Sequence, residues 1–401
     1  MAYIPAESLR NLHLYKYAGV DKSLVSRFIL TPYWNTLVKI FPLWVAPNLI
    51  TLLGLFCTIF NVLTLFYYDT SIGPCPNWVY TSFGIGLFVY QSLDAIDGKQ
   101  ARRTGASGPL GELFDHSCDA LNTMLGVFTW ASATGLGQSW WTVCSLFAGL
   151  CNFYLSTWEE YHTGVLYLGY FSGPVEGVLM LVAVHLWTGI AGPDFWKQNL
   201  NQVVDIDWLY SPYTHAIGKL PLNHLLIIVG AVVVVFNISS ALLNVIKVKI
   251  YPTDTSHKDR SILKAVAGLL PFVLMTGLSV GWLYMWPSLV YEDLSTFILF
   301  TGLLFGHQVG TIITSHVAKL SFPFWDTPAM ALLCTGCALA YVETSLECCS
   351  VAIDHRLVIR AFLVLAGAQY FIFIIGIIQQ ICTYLDIGCL YIKKKKTLHT
   401  E

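Results

Sequence analysis

Residues 94–119 read DAIDGKQARRTGASGPLGELFDHSCD, placing Asp94, Asp97, Asp115 and Asp119 inside segments otherwise apolar enough for a membrane. Ionisable side chains in such segments are costly and usually functional. Positions three, four, seven and eight apart share one face of a helix. Asp94, Asp97, Gly98, Ala101 and Arg102 therefore form one stripe, and Gly111, Asp115 and Asp119 form a second. Two such stripes facing each other would crowd four negative charges, and one or two divalent cations bound through oxygen neutralise them most simply. Oxygen ligands suit Mg²⁺ or Mn²⁺ better than zinc. Gly98, Ala101 and Gly111 leave room for a large group against the backbone, and Arg102 presents a planar fork to a phosphate. The chemistry implied is metal-assisted work on a phosphate-bearing substrate. The competing reading, a salt-bridge network around Arg102 with no metal, leaves too few cations: Arg102 and Arg103 cannot neutralise four acids.

The elements that position these residues are membrane helices. Of 401 residues, 55% are hydrophobic and only 11% charged, a composition foreign to ordinary soluble domains. Judged against about 20 residues per crossing, apolar stretches fall near 48–69, 77–98, 113–135, 139–158, 174–192, 223–246, 263–286, 294–317, 326–343 and 358–385. The expected fold is an all-α, polytopic integral membrane protein of about ten transmembrane helices. Residues 21–44, with Trp34 and Phe41 among Arg27 and Lys39, suit either an interfacial helix interrupted near Pro32 or a cytosolic helix packed on the domain. Four regions follow: a cytosolic segment with this helix over 1–47, catalytic helices over 48–192, further helices over 193–386 and a basic tail over 387–401. Basic residues collect in cytosolic loops, and of the 22 here only Lys197, Lys219, Arg356 and Arg360 fall on the other side of this arrangement. Both termini and the aspartates are thus expected to face the cytosol. A net charge of −2 implies no nucleic-acid partner. Residues 1–20 lack the apolar core of a cleavable signal. The scattered cysteines read as small apolar residues, with Cys348 and Cys349 placed on the oxidising side, and Lys393 to Lys396 as a contact for anionic lipid.

The run DxxDGxxAR, eight residues, then GxxxDxxxD resembles the signature of the CDP-alcohol phosphotransferases, and every fixed position from Asp94 to Asp119 matches. Chain length, the FPLWVAPN lead-in and the GELFDH phrase are similar to the eukaryotic choline and ethanolamine phosphotransferase branch. The resemblance implies transfer of phosphocholine or phosphoethanolamine from CDP-choline or CDP-ethanolamine to diacylglycerol, with release of CMP. It further implies that the four aspartates hold two Mg²⁺ ions, with Mn²⁺ an alternative, and that Gly98, Ala101, Arg102 and Gly111 accommodate the CDP moiety. An endoplasmic reticulum or Golgi membrane is the expected location. Head-group choice stays open, with dual or choline-leaning activity as the reading.

A diacylglycerol hydroxyl is a weak nucleophile and needs a base. His116 stands beside the metal stripe with an intrinsic pKa near working pH; a structural histidine is the alternative. Asp119 is the base often assigned across the wider family. Glu176, in the first turn of the fifth expected span, is placed to orient His116 or to pair with the helix dipole. Asn48 suits either a helix cap or a phosphate contact. Trp158, Glu159, Glu160, Tyr161 and His162 fit an interfacial belt better than a quaternary-ammonium site. The stretch from 263 to 385 supplies either a lipid-facing cavity or the surface of a homodimer. Rival functions are a phosphatidylinositol synthase or another branch of the same family, and a cation-coupled transporter. The transporter predicts acids spread over several spans, and here they concentrate at one edge.

Overall fold

Inside lipid every backbone polar group must be satisfied within its own segment, so long apolar runs become helices. The computed structural model describes residues 3–21, 23–168, 174–204, 212–251, 260–325, 327–345 and 353–393. Ten long helices occupy the ten expected stretches: Pro47–Tyr68 (α1), Asn77–Thr104 (α2), Pro109–Ala133 (α3), Trp140–Thr163 (α4), Pro174–Ala191 (α5), Leu222–Ile250 (α6), Leu270–Met285 (α7), Leu294–Val317 (α8), Thr327–Ser345 (α9) and His355–Leu385 (α10). By length and composition α1, α6, α8, α10 and the run Ile262–Met285 that contains α7 can each cross a membrane. The helices α2, α3 and α4 carry the charged residues of the site, which lowers their hydropathy, and α5 is shorter.

Helix ends follow local signals rather than hydropathy. The second expected span stops at residue 98, before Lys99, but α2 continues to Thr104 and ends at Gly105, whose φ of +66° suits a residue without Cβ. Proline in the first turn starts α1 and α3. The side chain of Asp354 caps α10 by accepting from the amides of Arg356 and Leu357 at 3.0 and 3.1 Å.

Helix α8 is the centre of the bundle, packed by α3, α4 and α10. Its small residues allow close approach: a Cβ on Gly302 would lie 2.2 Å from Met124 Cγ, and one on Gly310 2.9 Å from the Phe373 ring. Helices α1, α2, α3 and α5 pack on one another at the other flank. Outward faces are apolar, as in Val232, Val235 and Phe236 of α6 and Val364, Phe371 and Ile372 of α10.

The N-terminal segment is threaded across one end of the bundle. Tyr3 and Ile4 amides donate to Gln380 Oε1 of α10 at 3.0 Å, and Asn11 Nδ2 donates to the Ala318 carbonyl at 2.9 Å. Gly19–Asp21 (β1) then pairs in parallel with Leu166–Leu168 (β2), just beyond α4. A helical stretch from Ser26 to Ile40 follows, with a widened turn directly before Pro32 in place of a break. Leu30, Trp34 and Val38 bury against Ile50 of α1 and Ile96 of α2, while Phe28, Ile29 and Ile40 stay exposed. This stretch therefore has one face on the bundle and an apolar face left for the membrane surface. At the other terminus, Lys393 bonds to Asp386; Lys394 to Lys396, Cys348 and Cys349 lie outside the described residues.

Candidate active site

Both halves of the aspartate motif lie on helices joined by a four-residue turn, so α2 and α3 bring their acidic stripes together. Carboxylate oxygens of Asp94, Asp97 and Asp115 all lie within 4.8 Å of one another. Asp119, one turn further along α3, lies against Asp94 and accepts a hydrogen bond from the Tyr90 hydroxyl. Asp97 accepts from the Thr51 hydroxyl of α1. Asp94 Oδ1 and Asp115 Oδ1 are sealed from solvent with no hydrogen-bond partner. Crowded, unpartnered carboxylates at this spacing fit a divalent cation, since oxygen donors at such separations can share one ion. The glycines leave the space the motif implied: a Cβ on Gly111 would meet nothing within 4 Å, and one on Gly98 only the Arg102 guanidinium at 3.7 Å.

The two arginines divide their work. Arg103 donates to the backbone carbonyls of Val38 and Phe41 and to Gln100 Oε1, fastening the N-terminal helical stretch. Arg102 makes no ion pair among the described residues and lines a hollow of about 410 Å³ with Lys39 and Lys99. A guanidinium without an ion pair among the described residues, on the helix that carries Asp94 and Asp97, is suited to an anionic group.

These features meet an independent result. Residues 44–206 match the family model for CDP-alcohol phosphatidyltransferases. The chain is 40% identical to cholinephosphotransferase 1 of Saccharomyces cerevisiae over 99% of both chains. It is also 38% identical to choline/ethanolaminephosphotransferase 1 of the same yeast, over 98% of this chain and 99% of that one. Identity to choline/ethanolaminephosphotransferase 1 of Arabidopsis thaliana is 35%, over 99% of this chain and 100% of that one. The chain belongs to the CDP-alcohol phosphatidyltransferase family. The matched segment covers the whole aspartate motif and the helices that carry it.

His116, the base expected for this family member, is 7% exposed on α3. The carboxylate beside it is Glu160 of α4, whose Oε2 lies 3.7 Å from His116 Nδ1. Glu176, expected to orient this imidazole, instead accepts from the Ser23 hydroxyl with Oε1 and keeps Oε2 buried without a partner. The structure thus keeps His116 on α3, between Asp115 and Asp119 in sequence, but pairs it with a different glutamate. Asn48 is not a cap: Ala46 holds that position, and Asn48 is the second residue of α1, with Nδ2 3.9 Å from Cys389 Sγ. The interfacial-belt reading of Trp158 to His162 also fails. Trp158 is fully buried, its Nε1 donates to the Ala265 carbonyl at 2.9 Å, and Glu160 is 4% exposed. This end of α4 packs instead against the short helix Ile262–Ala267 that precedes α7.

Several residues at the site carried no motif. The Tyr15 hydroxyl donates to Glu112 Oε2, and Glu112 Oε1 lies 3.7 Å from His316 Nε2 of α8. Burial, and then the Glu112 charge, pushes the Tyr15 phenol far above its ordinary pKa, so it remains a donor. GELFDH contained Glu112, but nothing in local spacing announced its partners, which lie 97 residues before it and on α8.

Proposed function

We propose that this protein transfers phosphocholine or phosphoethanolamine from the CDP-alcohol to diacylglycerol, forming phosphatidylcholine or phosphatidylethanolamine and CMP. The observation that carries this reading is the meeting of Asp94, Asp97 and Asp115, with unpartnered oxygens on Asp94 and Asp115 and with Asp119 against Asp94. The names of relatives matched from end to end point to the same reaction. Asp94, Asp97, Asp115 and Asp119 would hold Mg²⁺, which when bound supplies charge neutralisation for the pyrophosphate and the leaving CMP.

The chain's own residues handle the rest. Gly98, Ala101 and Gly111 admit the CDP moiety close to the backbone, and Arg102 holds its phosphate. The diacylglycerol oxygen forms a bond to the phosphorus bearing the head group, and the bond from that phosphorus to the CMP oxygen breaks. His116 accepts the hydroxyl proton. Its Nδ1 is closed off next to Glu160, leaving Nε2 to meet the substrate. Asp119 is a weaker choice of base because Tyr90 and Asp94 already engage it. Glu176 keeps one unpartnered oxygen with which to assist once its bond to Ser23 opens. The mouth and both termini face the cytosol in this reading, supported by the distribution of basic residues, and a membrane of the endoplasmic reticulum or Golgi suits the activity.

The test is CMP release by the purified protein given diacylglycerol with CDP-choline or CDP-ethanolamine, with and without Mg²⁺. Turnover should require the ion, vanish in Asp97→Ala and fall about 10²–10⁴-fold in His116→Ala. Full activity in the presence of a chelator, or an active Asp97→Ala, would overturn the mechanism.

A further inference from the structure

Behind the aspartates lies a second buried cluster. Glu112 of α3, Glu160 of α4 and His316 of α8 hold candidate ligand atoms within 4.8 Å of one another. No lysine or arginine balances it: among the described residues, the ion-pair contacts of the two glutamates are to His316 and His116, each at 3.7 Å. Two atoms aimed into the cluster, Glu112 Oε1 and His116 Nδ1, have no hydrogen-bond partner, and their side chains are 3% and 10% exposed. A buried carboxylate oxygen without a donor is unfavourable, and a cationic ligand removes that cost.

The cluster adjoins the reacting centre. Glu112 precedes Asp115 by three residues, which separates them by about 4.5 Å along the helix. In a CDP-aminoalcohol the nitrogen lies four single bonds beyond the phosphorus, a reach of about 5 Å. With phosphorus held over the aspartates, a reach of that length matches the step along α3 from Asp115 to Glu112.

We propose that Glu112 and Glu160 bind the cationic nitrogen of the CDP-alcohol head group, with Tyr15 of the N-terminal segment closing the pocket. The proposal rests on the transferase reading above and names the determinant of its substrate class. Tyr15 occupies Glu112 Oε2 and so directs Oε1 to the ligand. Aromatic faces and carboxylates recognise ammonium groups without a directional hydrogen bond, which accommodates quaternary and primary nitrogens alike. A neutral polyol head group would leave both acids buried and uncompensated, and so be rejected.

Steady-state kinetics of Glu160→Gln and Glu112→Gln, with calorimetric binding of CDP, test this, since CDP lacks the head group. KM for CDP-choline should rise at least about tenfold, the equivalent of 1.4 kcal/mol, while CDP binds as tightly as it does to the wild type. Tetramethylammonium should compete with CDP-choline in the wild type and lose potency in Glu160→Gln, a readout that stands if Glu112→Gln does not fold. Equal weakening of CDP and CDP-choline, or no change in either, would overturn the proposal. So would loss of one bound metal ion per chain in Glu160→Gln, because two glutamates and a histidine are also a divalent-metal donor set. A wild-type protein that turns over no CDP-aminoalcohol at all would instead sink the transferase reading.

Discussion

Tyr90 and Thr51 each give a hydroxyl hydrogen to a signature aspartate, Tyr90 to Asp119 and Thr51 to Asp97. Groups that orient metal ligands set ion affinity more than chemistry, and their loss typically weakens binding 10–100-fold. Tyr90→Phe should therefore raise the Mg²⁺ concentration for half-maximal activity by at least about tenfold, with near-normal turnover once the ion is saturating. A titration of CMP release against Mg²⁺ checks this, and an unshifted curve would mean that Asp119 is held without Tyr90. The same hydroxyls mark the limit of what spacing reveals. Helical periodicity placed four aspartates on two stripes because faces three and four residues apart are a local property. Tyr90 precedes Asp119 by 29 residues and Thr51 precedes Asp97 by 46, so their meeting depends on how whole helices pack. Glu160 was visible only as part of an aromatic run, and its place beside His116 depends on α3 packing against α4.

The turn from α2 to α3 must hold two acidic stripes in register, and it does so through Gly105 at φ +66°. A Cβ there would meet nothing within 4 Å, so Gly105→Ala isolates the backbone term. That term is about 1–2 kcal/mol for an L residue in the left-handed region. The expected result is a lower thermal midpoint in detergent with the family motif intact. Gly302→Leu tests packing instead: its Cβ would lie 2.2 Å from Met124 Cγ and 2.7 Å from Met124 Cβ, between α8 and the helix that carries Asp115 and Asp119. Overpacking commonly costs about 1–3 kcal/mol, and here it also displaces α3, so activity should fall further than stability. Size-exclusion thermostability and CMP release measured on the same preparation separate the two. Hydropathy located all ten long helices but not their charged ends. It cannot register that α2 keeps its hydrogen bonds through Lys99, Arg102 and Arg103 until a glycine turns the chain.

At the scale of the molecule, the site must serve two phases. Its acids lie on α2 and α3, which are joined by one short turn, and an N-terminal segment contacting Glu112 is tied to α10 by Gln380 and to the end of α8 by the Ala318 carbonyl. The helices around it present valine, leucine, isoleucine and phenylalanine outward, surfaces that lipid can wet and water cannot. On the proposed reading a charged nucleotide enters from the aqueous side and diacylglycerol from the bilayer. In sealed vesicles with the cytosolic face outward, external CDP-choline should be consumed at the same rate before and after permeabilisation, with product formed in the membrane. A membrane-impermeant chelator added outside should stop it. Activity that appears only after the vesicles are opened would put the mouth on the opposite side, against the distribution of basic residues that supports a cytosolic site.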